Sequence, residues 1–140
     1  MALKASALNV GDTYQERVVD DLTRTQIVQY AGASGDYNPV HTDSVFAVQV
    51  AGFPSVFAHG MLSMGMTGKM LTNYVGDGRL TGFGVRFTRQ VWPGDILDAK
   101  AVVKDIREEG GRHFVDLDVE TLNQNGETVV KGYASALIDP

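Results

Sequence analysis

An α+β fold, with one antiparallel sheet wrapped around one apolar helix, is predicted by three observations. From Gly82 onward apolar side chains recur with period two, as in half-buried strands: Phe83, Val85 and Phe87 alternate with Gly84, Arg86 and Thr88. Immediately before that lies SVFAHGMLSMGMTGKMLTNYV, helical in character but apolar on more than one face. Ahead of both stand one short strand, one short helix and a long Gly/Pro-punctuated stretch. Strand, helix, loop, buried helix and four strands together make an α+β layer order, read as one domain over residues 1–140.

The first strand is expected over Tyr14 to Val19, after the turn signal Asn9-Val10-Gly11-Asp12. Thr23 is placed to cap a helix that carries Ile27, Tyr30 and Ala31 at helical spacing. The stretch from about Gly35 to Ser55 is too long for an idle connection, and a short helix is expected within it around Thr42 to Val50, with Asp43 or Ser44 near its start. The next helix follows Pro54 and stops at Gly76-Asp77-Gly78. Its interior Gly65 and Gly68 each cost about 1 kcal/mol relative to alanine, which points to close approach by a neighbour. Beyond it, Leu97, Ala99, Ala101 and Val103, and then Val115, Leu117 and Val119, mark the inward faces of two further strands, and a last one runs from about Thr128 to Ile138. The connections Trp92–Asp95, Glu109–Gly111 and Asn123–Gly126 are turn-like, so neighbouring strands are expected to be antiparallel. Exposed sheet edges favour a dimer that extends the sheet.

Composition narrows the function. A formal net charge of −5, with the twelve Lys and Arg dispersed along the chain, lacks the basic stripe that phosphate contacts require, and this excludes a nucleic-acid binder. Without cysteine there is no disulfide framework, no thiolate metal site and no cysteine nucleophile. No apolar run is long enough for a bilayer and none opens the chain as a signal peptide would, so a soluble cytoplasmic protein that uses no membrane is expected.

The chemistry concentrates in Ala33-Ser34-Gly35-Asp36-Tyr37-Asn38-Pro39-Val40-His41. Gly35 permits a sharp turn, and Pro39 biases Asn38 towards an extended conformation, so Asp36 and His41 can face one small volume. A carboxylate and an imidazole one water apart form a proton-transfer pair near neutral pH. Equally, Asp36 and Asn38 can form Asx turns with His41 capping the next helix. His59-Gly60 stands where the central helix begins. Backbone N–H groups there lack intrahelical partners, and Gly60 would let a carbonyl oxygen approach them as in an oxyanion hole; glycine also simply fits a helix start. His59 itself is expected to fill space or hydrogen-bond the loop, and His113 to lie at the surface. Asp36, His41, Asp43 and His59 match no zinc-ligand spacing, so no metal is expected. Neither Ser55 nor Ser63 lies in a Gly-x-Ser-x-Gly elbow, and Gly82-Phe83-Gly84 opens a strand rather than a phosphate-binding helix.

Tyr30-Ala31-Gly32-Ala33-Ser34-Gly35-Asp36-Tyr37-Asn38-Pro39-Val40-His41, with Ala47 six residues on, resembles the signature of the MaoC-like dehydratases, the R-specific enoyl-thioester hydratases. Ala58-His59-Gly60-Met61-Leu62 resembles the second signature, and Val85-Arg86-Phe87-Thr88 the strand after the central helix. The likeness is greatest to the catalytic subunits of mycobacterial-type (3R)-hydroxyacyl-ACP dehydratases. It implies a hot-dog fold, a cofactor-free Asp36/His41 acid–base pair and a Gly60 oxyanion donor. Asn38, Pro39, His59, Met61 and Ser63 would be supporting or substrate-binding residues. It further implies reversible hydration of a trans-2-enoyl thioester, carried by CoA or acyl carrier protein, in a homodimer or a heterodimer with a second hot-dog subunit. Some members use a serine two turns into the central helix to orient the aspartate; Gly68 falls there, with Ser63 as substitute. A thioesterase on the same fold and a non-catalytic acyl-binding subunit are the alternatives.

Overall fold

The computed structural model describes residues 2–140. Strand β1 (Thr13–Val19) leads into helix α1 (Arg24–Ser34), then a loop holding a single π-helical turn (Phe46–Val50), and then the central helix α2 (Gly60–Val75). Strands β2 (Leu80–Phe87), β3 (Leu97–Glu109), β4 (Arg112–Leu122) and β5 (Thr128–Ile138) complete the chain. The sheet runs β1-β3-β4-β5-β2 and every pair is antiparallel. With α2 packed across one face, this is the expected hot-dog architecture.

Local chemistry explains the elements that position the site. The Thr23 hydroxyl accepts the Gln26 N–H at 3.0 Å while the Gln26 side chain accepts the Thr23 N–H at 2.9 Å. This reciprocal box satisfies two N–H groups that a helix start leaves unpaired. At the other end Gly35, with φ of 75°, closes α1 through its N–H to the Ala31 carbonyl. That left-handed turn throws the chain straight into Asp36. The core lies between α2, through Met70, Leu71 and Val75, and the inward faces of β3, β4 and β5. Alternation there is as expected: Leu97, Ala99, Ala101 and Val103 are buried, as are Val115, Leu117 and Val119.

Four expectations are corrected. Residues 55–59 are not helical, and α2 begins at Gly60, where the His59-Gly60 reading puts it, rather than directly after Pro54. The Ala58 N–H bonds to the Val91 carbonyl and the Phe57 N–H to that of Val40, so this segment is held by long-range contacts that compete with the helix its apolar residues suggest. The short helix expected around Thr42 to Val50 is present from Ser44 as read and is corrected only in kind, being mostly π, with the Ala51 N–H reaching back to the Phe46 carbonyl. Trp92–Asp95 is not a hairpin, because β2 and β3 lie on different sides of the sheet. Residues 88–96 cross over the structure, and the turn is pinned by Asp95, whose carboxylate accepts from the Trp92 N–H and the Gln124 amide. Finally, α2 is not enclosed all round: Ser63, Thr67, Met70, Leu71 and Val75 are buried, but Met61 is 54% exposed and Gly65 is open.

Candidate active site

The loop after Gly35 is built from two consecutive Asx turns. Asp36 Oδ1 accepts the Asn38 N–H and Asn38 Oδ1 accepts the Val40 N–H, each at 3.2 Å. A backbone turn follows, in which the His41 N–H donates to the Asn38 carbonyl and the Thr42 and Asp43 N–H groups donate to that of Pro39. Asn38 and Pro39 therefore shape the loop. The turns use only Oδ1 of Asp36, which leaves Oδ2 facing His41 Nε2 at 4.0 Å. The Asx turns and the approach of Asp36 to His41 are thus present together, while the next turn is capped by Asp43, whose Oδ1 accepts from the Val45 and Phe46 N–H groups.

His41 is buried and its tautomer is set by its partner. A carbonyl can only accept, so the 2.7 Å contact to the Phe57 oxygen places the proton on Nδ1 and leaves Nε2 as an acceptor towards Asp36. Burial pushes the imidazole below its ordinary value, against the hydrogen bond to Phe57, which raises it; His59 lowers it further and Asp36 raises it. The pair at neutral pH is a carboxylate facing a neutral imidazole, two proton acceptors across a gap too wide for a direct hydrogen bond.

His59 packs face to face on His41, ring centroids 3.8 Å apart and planes 24° from parallel. Its Nε2–H donates to the Asp36 carbonyl at 3.0 Å, and Tyr30 meets its ring edge-on at 4.9 Å. Asp36, His41 and His59 thus offer three ligand-type atoms within 4.8 Å of one another. Ring nitrogens bind metals in the plane of the ring. Two rings stacked this closely aim their lone pairs along neighbouring planes rather than at one point, so this arrangement does not fit a shared ion.

Gly60 opens α2 behind His59, which adopts the extended N-cap conformation. Its N–H is one of the donors a helix start leaves free. An open cavity of about 260 Å³ adjoins it, walled by Phe57, Gly60, Ser63, Phe87 and Arg89. Ser63 is buried in that wall and makes no hydrogen bond with Asp36 among the described residues. Gly68 faces β2, where an added Cβ would stand 3.3 Å from the Phe83 ring. The orienting serine is therefore replaced in this chain at neither position. Met61 is exposed and is not among the residues that wall the cavity, and His113, partly buried on β4, pairs across the sheet with Glu108 and Ile138. Two contributors escape sequence reasoning. Phe57 acts through its backbone carbonyl, and Phe87 covers Gly60 from the end of β2. Neither role leaves a signal in residue type.

A sheet wrapped on a helix, with a carboxylate and an imidazole brought together at that helix's N-terminus, defines a hot-dog protein. Residues 6–125 match the MaoC like domain family, and the chain belongs to it. It is 37% identical over 89 residues to 3-hydroxyacyl-thioester dehydratase Y of Mycobacterium tuberculosis, a match covering 61% of this chain and 31% of that protein. With peroxisomal enoyl-CoA hydratase 2 of Arabidopsis thaliana it shares 35% identity over 103 residues, 71% of this chain and 30% of the relative. The chain thus spans under a third of either relative. Among solved structures, the R-hydratase PhaJ1 of Pseudomonas aeruginosa superposes with a TM-score of 0.86 at 28% identity, covering 99% of this chain and 86% of that one. The (R)-hydratase of A. caviae follows at 0.82 and 27%, covering 96% and 98%.

Proposed function

We propose that this chain interconverts trans-2-enoyl and (3R)-3-hydroxyacyl thioesters by adding or removing water. The observation that carries this reading is the 4.0 Å gap between Asp36 Oδ2 and His41 Nε2, both acceptors at neutral pH. One substrate water can donate a hydrogen to each, which aims its oxygen lone pair away from both. In hydration that oxygen bonds to C3, the π pair of the C2–C3 double bond moves towards the thioester carbonyl, and the Asp36 carboxylate takes a proton from the water. The pair returns a proton to C2 as the enolate collapses. Atoms and charge balance without any further reactant. The Gly60 N–H, at the positive end of α2, is the donor for the carbonyl oxygen on which charge grows. The (3R) outcome and the thioester class rest on the named relatives.

A second hot-dog subunit, identical or related, belongs to this reading. Tyr37, Val45, Val48, Val50, Met61 and Phe87 are exposed apolar side chains from the loop, the π turn, α2 and β2. The outer edge of β2 also carries no strand partner among the described residues. A sheet edge and apolar surface of this kind are ordinarily covered. One relative of the same fold is itself a complex of two chains, ChsH1 and ChsH2 of Mycobacterium tuberculosis.

The test is turnover of a short trans-2-enoyl-CoA, following loss of the conjugated thioester and release of free thiol together, with sedimentation under the same conditions. Wild type is expected to consume the conjugated thioester without releasing thiol, as a dimer. Asp36→Asn is expected to lose about 10²–10⁴-fold in kcat. Thiol release would replace the hydratase with a thioesterase, and near-full activity of Asp36→Asn would remove Asp36 from the chemistry.

A further inference from the structure

His59 joins the three parts of the site. Its backbone precedes Gly60 and accepts the Leu62 N–H at the first turn of α2. Its Nε2–H holds the Asp36 carbonyl, and its ring lies flat on His41. The ring is 2% exposed, and its Nδ1 is enclosed without a hydrogen-bond partner among the described residues. A side chain that merely filled this space would need no such nitrogen: a phenyl ring would stack on His41 and meet Tyr30 as well, and would strand no buried polar atom. What only the imidazole supplies is the donor at the Nε2 position, delivered to the backbone of the residue that bears the carboxylate.

We propose that His59 is the positioning residue of the Asp36/His41 pair: its Nε2–H fixes the Asp36 backbone, its ring fixes the His41 plane, and together they hold the gap at the width of one water. This rests on the hydratase reading above only for its kinetic consequences; the geometry it asserts is independent of the reaction. A second effect follows from the stack. The groups facing His41 are Asp36 from its own loop, the Phe57 carbonyl and ring from residues 53–59, and His59 from the start of α2. Tyr30, from α1, faces His59 rather than His41. Among the described residues, His59 is the titratable neighbour that adds to burial in disfavouring a proton on His41.

Three variants separate the roles. His59→Gln places an amide nitrogen near the Nε2 position, His59→Asn places one near Nδ1, out of reach of Asp36, and His59→Phe keeps only the ring. Each is compared with wild type in kcat and KM for a short trans-2-enoyl-CoA, in the acid limb of kcat/KM, and in the NMR titration of the His41 imidazole. Expected is a kcat loss of less than about tenfold for Gln, which keeps the donor but gives up the stacked ring, and of at least about tenfold for Asn, which gives up both, and for Phe, which keeps only the ring, with KM little changed. The His41 midpoint and the acid limb both move to higher pH in Phe. Equal kcat for Gln and Asn would overturn the positioning role, as would an unmoved His41 midpoint in Phe. If Phe fails to fold, the Gln–Asn contrast still decides. If wild type hydrates no enoyl thioester, the proposed function fails, while the His41 titration continues to test His59.

Discussion

At the scale of residues, the tightest fit within the site is at Gly60. A Cβ added there would lie 2.8 to 3.0 Å from three atoms of the Phe87 ring, nearer than real side chains approach. The ring is 49% exposed and can swing, so the substitution displaces Phe87 rather than breaking the fold. Gly60→Ala is therefore expected to fold, lose less than about 2 kcal/mol of stability, and lose at least tenfold in kcat as the methyl blocks approach to the free N–H. Adding Phe87→Ala should recover part of the stability but not the rate; denaturant titration beside steady-state kinetics separates the two. The approach of Asp36 to His41 was legible in the sequence because it follows from side-chain type and spacing in one short loop. Phe57 and Phe87 were not. One acts through a backbone oxygen that every residue possesses, the other through a contact that exists only after β2 meets α2.

At the scale of elements, α2 is tied to the sheet by a buried hydroxyl chain. Thr67 donates to the Ser63 carbonyl at 2.9 Å, which leaves Thr121 of β4 to donate to Thr67 at 2.7 Å. Both threonines are fully buried. Thr67→Val strands the Thr121 hydroxyl and should cost about 1–3 kcal/mol, whereas Thr121→Val leaves Thr67 bonded to Ser63 and should cost less. The double variant should be less damaging than the sum of the singles, as chemical denaturation of the four proteins would show. The strands β3, β4 and β5 were readable because each buries one face and turns tightly into the next. The crossover was not, since Trp92–Asp95 has the composition of a hairpin turn and only its tertiary bonds to Leu22 and Gln124 show otherwise. Carrying the helix back to Pro54 fails for a related reason: Val56 and Ala58 are apolar because they are buried, not because they are helical.

At the scale of the whole molecule, acid should act through the site as well as the surface. His41 resists protonation when folded, so the unfolded chain binds a proton more readily once the pH falls below about 6.5. Stability is then lost as the pH drops from about 6.5 towards the lowered folded value. The Asp116 carboxyl, held below its usual range chiefly by its hydrogen bond from Arg107, and also by Ser135, adds a loss only at lower pH, beneath about 3.8. Thermal melts from pH 7 to pH 5 should show a decline that His41→Gln flattens; an equal slope in both proteins would locate the acid sensitivity elsewhere. The α+β class and the antiparallel sheet were legible at this scale from periodicity alone, whereas which faces stay open depends on how much of α2 one sheet can cover.

The division of labour between the two oxygens of Asp36 carries a practical consequence. Oδ1 builds the turn and Oδ2 faces His41, and an asparagine keeps the first atom while exchanging the second for a nitrogen. Asp36→Asn should therefore leave the loop folded and the cavity intact, so that the variant engages an acyl thioester it cannot release as product. If the proposed hydration is the reaction, such a stalled protein is a bait: offered a mixture of thioesters, it would retain those that the cavity selects, and so sort them by carrier and chain length.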